Sequence, residues 1–162
     1  MRFLVIGAHA VIRYGYMRAT EDVDLMANNE ERGAWQRLVS ELGYRLEHDG
    51  GTFLQLSPPA GVGWDLDIMF VPAATFEQMF RQAKATEIDG TPVRIPALEH
   101  LLAMKLHALK HGQGLRTIKD MEDVIQLVRR NGVDVQSETF RRLCEKQADL
   151  RLYEQILRAC LP

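Results

Sequence analysis

Two short segments constrain this chain more than anything else in it. Asp22-Val23-Asp24-Leu25-Met26 and Trp64-Asp65-Leu66-Asp67-Ile68-Met69-Phe70 alternate carboxylates with apolar side chains. A period of two belongs to a half-buried strand, whose successive side chains point to opposite faces. Asp22 and Asp24 then share a face, as do Asp65 and Asp67, while Val23, Leu25, Trp64, Leu66 and Ile68 turn the other way. If the two strands are neighbours, up to four carboxylates converge. Two like charges about 4 Å apart repel by about 1 kcal/mol in water, and by several times that in a half-buried site. A divalent cation reverses the sign. Mg²⁺ takes hard oxygen ligands, commonly one or two carboxylates together with substrate phosphates. Two metals about 3.5–4 Å apart stabilise both the attacking and the leaving oxygen of an in-line displacement at phosphorus.

The flanking pattern places these strands in an α/β half. Residues 2–6 read as a strand ended by Gly7, residues 8–14 as a short helix stopped by Gly15, and residues 30–42 as an amphipathic helix followed by Gly43. Residues 44–48 and 52–56 read as strands around the turn Asp49-Gly50-Gly51, and 57–63 as a Pro/Gly loop. A helix follows at 74–84, then two small strands around Asp89-Gly90. From Pro96 the period becomes helical: Leu98, Leu101, Leu102, Lys105, Leu106 and Leu109 mark one helix, Asp120–Val128 a second, and 137–160 one or two more. The expectation is an α/β core over 1–96, with a mixed sheet flanked by helices, and a helical region over 97–162 packed on it as one folding unit.

Residues before the first aspartate strand suit a phosphate. Gly7 lets the backbone approach an anion closely, and the helix start after it favours negative charge. Arg18 can fork onto phosphate oxygens, and Thr20 can hydrogen-bond locally and orient the turn into Asp22.

Ile6-Gly7-Ala8, the run Arg18-x-Thr20-x-Asp22-x-Asp24 and the later Asp67 resemble the polymerase-β-type nucleotidyltransferase superfamily. Within it the chain looks like the small bacterial AbiEii-like and uncharacterised nucleotidyltransferase groups, whose second half resembles Ala103-Met-Lys105-Leu-x-Ala108 and Lys119-Asp120-x-x-Asp123. Ala8 stands where the family usually has Gly or Ser, and Asp65 where AbiEii-like proteins usually carry Lys. The resemblance implies the minimal nucleotidyltransferase fold. It also implies Mg²⁺- or Mn²⁺-dependent transfer of a nucleoside monophosphate from a triphosphate such as ATP to a hydroxyl of a protein, a tRNA or a small molecule. Asp22, Asp24 and Asp67 would be the metal-binding and catalytic residues, Asp67 assisting deprotonation. Gly7, Ala8, Arg18, Thr20 and Lys105 would face the nucleotide. A toxin–antitoxin setting, with a cognate protein partner, comes with the AbiEii-like likeness. The alternative is a catalytically degenerate module of the same fold that binds nucleotide or a partner protein.

Other features read more plainly. His107 and His111 are spaced i, i+4 as metal-binding pairs can be, but no matching third ligand is evident, and a solvated helix face accounts for them. His9 beside the glycine turn reads as a histidine packing locally, and Lys119, Asp120 and Asp123 as charges at a helix start. Trp35 and Trp64 read as core. Two isolated cysteines, Cys144 and Cys160, make neither a disulfide framework nor a zinc site and suit a reducing cytoplasm. The apolar start up to Ile12 is short, contains His9 and runs into Arg13, Arg18, Glu21 and Asp22, unlike a cleaved leader. No run approaches the roughly 20 apolar residues of a membrane span. The net charge of -2 gives no overall pull on nucleic acid.

Overall fold

A computed structural model describes residues 1–61, 63–112 and 115–161, with Leu115 and Arg116 described by their backbone alone. One position of the expected 57–63 loop, residue 62, lies outside the described residues.

The alternating segments lie in a mixed five-stranded sheet built from β1 (Phe3–Val5), β2 (Asp22–Asn28), β3 (Arg45–Asp49), β4 (Phe53–Ser57) and β5 (Asp65–Val71). The strand order is β1-β2-β5-β4-β3. β2 and β5 lie parallel at the centre, and β1 and β4 flank them antiparallel. Helix α1 (Gly7–Arg13) follows β1, α2 (Arg32–Glu41) follows β2, and α3 (Ala73–Arg81) follows β5. β6 (Lys84–Ile88) and β7 (Thr91–Ile95) form a separate hairpin that packs beside β1. Its two-residue turn has Asp89 at φ 48° and Gly90 at φ 76°, the left-handed pair that matches the twist of a tight hairpin.

The sheet face turned away from the aspartates carries a continuous apolar band. Register puts Leu25 opposite Ile68, Ala27 opposite Phe70, and Leu54 opposite Ile68, so these side chains share a face with Phe3 and Leu56. Ala27, Leu54 and Ile68 are fully buried. Helix α2 covers this face: Trp35 meets Phe3 edge-on at 5.9 Å, and the Arg32 guanidinium lies 4.9 Å from the Phe70 ring. Arg32 also donates to Gly51 O at 2.7 Å and to Asp49 Oδ1 at 2.5 Å, tying α2 to the β3–β4 turn. The Asp49 carboxyl is held below the usual carboxylate range, first by the Gly51 backbone N–H and then by Arg32.

The helices of the second half are α4 (Leu98–His111), α5 (Leu115–Arg130), α6 (Glu138–Gln147) and α7 (Leu150–Cys160). The chain divides into two compact units: residues 1–10 with 18–97, and residues 11–17 with 98–162. In the helical unit Leu101, Leu102, Leu106, Val124, Leu127, Phe140 and Ile156 form the core. Helix α5 begins at Leu115, a turn before the expected Asp120, so Asp120 and Asp123 sit inside the helix and not at its start. The stretch 137–160 is two helices. Ser137 caps α6, its side chain accepting from Phe140 N, and Asp149 caps α7, accepting from Leu152 N. Cys144 is fully buried, and burial pushes its thiol up to about 12, so it is a packing residue and not a nucleophile. No described helix is long and apolar enough to cross a membrane.

Candidate active site

The register of the two central strands decides which aspartates meet. Asp22 pairs with Asp65, and Asp24 with Asp67. Parallel neighbours lie about 4.8 Å apart, and directly paired residues point to the same face. All four carboxylates therefore stand on the sheet face opposite Leu25 and Ile68. Asp22, Asp24 and Asp67 are partly buried, whereas Asp65, at the first position of β5, is exposed.

Local contacts orient three of the four. Thr20 Oγ1 donates to Asp22 Oδ1 at 2.5 Å, so the hydroxyl before the strand fixes the first carboxylate. Gln55, opposite Asp67 on β4, donates from Nε2 to Asp67 Oδ2 at a long 3.4 Å. Asp24 is framed by backbone: Ile6 N donates to Asp24 O at 2.9 Å, and Gly7 follows at φ 58°. A Cβ on Gly7 would stand 2.8 Å from Asp24 Cβ, 2.5 Å from its Cγ and closer still to Oδ2. The glycine is thus required twice, by its left-handed backbone and by the carboxylate that fills the space a side chain would take. Ala8 behind it is buried and brings no hydroxyl. Arg18 lies partly buried four residues before Asp22.

Lys105 has other partners than the expected triphosphate. Its Nζ lies 2.6 Å from Asp120 Oδ1 and 2.8 Å from Asp123 Oδ2, a buried ionic cluster joining α4 to α5. Asp120 and Asp123, read from sequence as a charged helix start, are the buried carboxylates of that cluster. Their signal was present: positions 120, 123, 124, 127 and 128 form one apolar-type helical face, and two of them are aspartates. Trp64, read as core, is 45% exposed, whereas Trp35 is buried as expected. His107 and His111 meet within α4, ring centroids 4.6 Å apart at a 53° tilt, both exposed.

Hard oxygen donors on adjacent strands, with a hydroxyl and an amide orienting two of them and a glycine cradling a third, fit a Mg²⁺ or Mn²⁺ ion. Among the described residues no three His, Cys, Asp or Glu side chains form a preformed cation cluster. An ion that shares its coordination with phosphate needs only one or two carboxylates from the protein.

Residues 6–160 match the family described as uncharacterised nucleotidyltransferase. The chain belongs to that family. The match runs from Ile6 before the glycine turn to the end of α7, so it takes in both units. No curated protein matches the chain. Solved nucleotidyltransferases share the fold. The antibiotic-resistance factor ANT(2'')-Ia superposes with a TM-score of 0.64 at 16% identity, covering 97% of this chain and 85% of its own. The lincomycin-bound lincosamide antibiotic adenylyltransferase LnuA gives 0.56 at 15% identity, with 82% and 87% covered. An antigenic nucleotidyltransferase-like protein from Paracoccidioides brasiliensis gives 0.56 at 16% identity, with 98% and 83% covered. The nucleotidyltransferase superfamily and its mixed-sheet fold are thereby established, and this family member's reaction class is nucleotidyl transfer.

Proposed function

We propose that the chain moves a nucleoside monophosphate from a nucleoside triphosphate to a hydroxyl acceptor, with Asp22, Asp24 and Asp67 as the metal-binding and catalytic carboxylates. The observation that carries this reading is the pairing of Asp24 with Asp67 on one sheet face, with Gly7 closed against the Asp24 carboxylate. A divalent ion bound there supplies charge neutralisation for the triphosphate and for the attacking and leaving oxygens. The chain's own groups divide the remaining work. Asp22 and Asp24 would hold the metal with Asp67 completing the site, Thr20 would keep Asp22 in place, and the glycine turn with Arg18 would receive phosphate oxygens. The acceptor oxygen attacks the α-phosphorus in line, its proton passes to Asp67, and the bond to the α–β bridging oxygen breaks, so that pyrophosphate leaves with the electron pair.

In this reading Lys105 organises the helical unit, because a contact with triphosphate would have to compete with two buried carboxylates. ATP and a small hydroxylated acceptor come first for testing, since ANT(2'')-Ia is known bound to adenylyl-2''-tobramycin and LnuA is a lincosamide adenylyltransferase. A tRNA or protein acceptor, with a toxin–antitoxin partner, is the second class and rests on the AbiEii-like motifs. The buried Ala8, with no hydroxyl to offer a phosphate, is what favours a nucleotide-binding module without turnover.

Thermal melting tests the site. Mg²⁺ with a triphosphate at a hundredfold excess over Kd should stabilise the native protein by about 2.7 kcal/mol. Asp22→Asn combined with Asp24→Asn should abolish that shift. An undiminished shift in the double variant would place the metal elsewhere.

A further inference from the structure

We infer that Trp64, propped by His9, is the surface on which the nucleobase of the donor stacks; the inference rests on the function proposed above. Single exposed apolar residues are ordinary and need no explanation. Trp64 differs in where it stands and in how it is held. It immediately precedes Asp65, the first residue of β5, and lies three residues before Asp67, at most about 10 Å away along extended chain rising about 3.3 Å per residue. A nucleoside whose α-phosphate is held at the aspartates extends outward by one ribose and then its base, which is a reach of that order. On the other side, His9 lies two residues after Gly7, whose Cα closes on the Asp24 carboxylate. The His9 and Trp64 rings meet at 5.4 Å between centroids with a 47° tilt. The two segments that build the phosphate end of the site thus each send out one aromatic ring, and the two rings meet.

The energetics point the same way. A tryptophan carries a large apolar surface whose burial stabilises a fold, yet nearly half of Trp64 stays open to solvent at 45% exposure. Tyr44 Oη donates to the Trp64 backbone O at 3.2 Å. A half-open indole is the kind of plane on which any base stacks, because every base presents a π-face. His9 adds a second sign. Its Nε2 is buried with no hydrogen-bond partner among the described residues, an arrangement that costs free energy in the protein alone. A ribose hydroxyl or base edge drawn against the indole would supply the missing partner as the ring shifts. A planar acceptor would satisfy the same indole, but the base belongs to the molecule whose phosphates the neighbouring glycine turn receives.

The sequence holds two tryptophans, and Trp35 is buried against Phe3, so a ligand-dependent fluorescence change reports on Trp64. ATP with Mg²⁺ should quench the emission, and inorganic tripolyphosphate with Mg²⁺ should bind without quenching it. Trp64→Leu, checked for folding by circular dichroism, should weaken ATP binding by roughly tenfold to a hundredfold, as loss of a base–aromatic stack does. The same variant should leave the tripolyphosphate Kd unchanged. Trp64→Phe should restore most of the ATP affinity, a rescue that mere disruption of the loop would not give. His9→Leu should shift the emission maximum of the free protein and reduce quenching by ATP. Equal ATP binding by wild type and Trp64→Leu would overturn the stacking role and leave the aspartate site standing, and would point the indole to the acceptor. Failure of the wild type to bind either ligand would overturn both proposals together.

Discussion

Lys105→Ala should destabilise the protein by about 3–5 kcal/mol in urea unfolding, the loss expected when one partner of a buried ion pair is removed. The Lys105 side chain is 12% exposed, and those of its partners Asp120 and Asp123 are 8% and 0% exposed. Taking away the ammonium removes a cation held between two carboxylates that little water reaches. The loss should therefore be strongly non-additive. Adding Asp123→Asn to Lys105→Ala removes one of the two buried negative charges and should recover part of the stability, whereas Asp123→Asn alone should lower it. If Lys105→Ala melts like the wild type but slows turnover, the lysine belongs to the reaction and not to the joint between α4 and α5.

Gly7→Ala should separate site geometry from stability in the opposite direction. The new methyl would fall within 2.8 Å of Asp24 Cβ and closer to its carboxylate, at a backbone φ of 58° that disfavours any side chain. Strand β2 cannot slide, because its register with β5 carries the buried pairs Leu25–Ile68 and Ala27–Phe70. The Asp24 carboxylate is therefore the group that must move. Misplacing a catalytic group by about 1 Å costs on the order of 10²-fold in rate. Turnover should fall by at least that factor and the Mg²⁺-dependent melting shift should vanish. Stability without metal should drop by about 1–3 kcal/mol, the cost of holding a non-glycine residue in a sparsely populated backbone region. Full activity in Gly7→Ala would mean that Asp24 is not a working carboxylate.

Where the sequence was legible, a single physical rule governed the segment. The period of two in 22–26 and 64–70 gave strands, faces and the grouping of the aspartates, because a one-residue slip would have exposed Leu25 and Ile68 and buried the charges. The Asp89-Gly90 turn was legible because few residues tolerate two successive left-handed conformations. The rest depended on partners far away in the chain. Trp64 looks like core by alternation with Leu66 and Ile68, but it lies just before β5 begins, where the pleat no longer dictates direction, and it meets His9 instead. Asp120 and Asp123 read as charges at a helix start, and only the packing of α5 against α4 shows Lys105 neutralising them. A helical period over 137–160 does not by itself place the break between α6 and α7. The Asp149 side chain settles it by capping a new helix in place of extending the old one.

The most direct test of the account is to follow the α-phosphate. The purified protein, Mg²⁺ and ATP labelled at either the α- or the γ-phosphorus are incubated with hydroxylated small molecules and with cell extract. Label from the α-position should become attached to an acceptor, γ-label should leave as pyrophosphate, and Asp67→Asn should abolish the transfer while still binding ATP. Label carried over from the γ-position, release of phosphate without any adduct, or undiminished transfer by Asp67→Asn would overturn the proposed reaction.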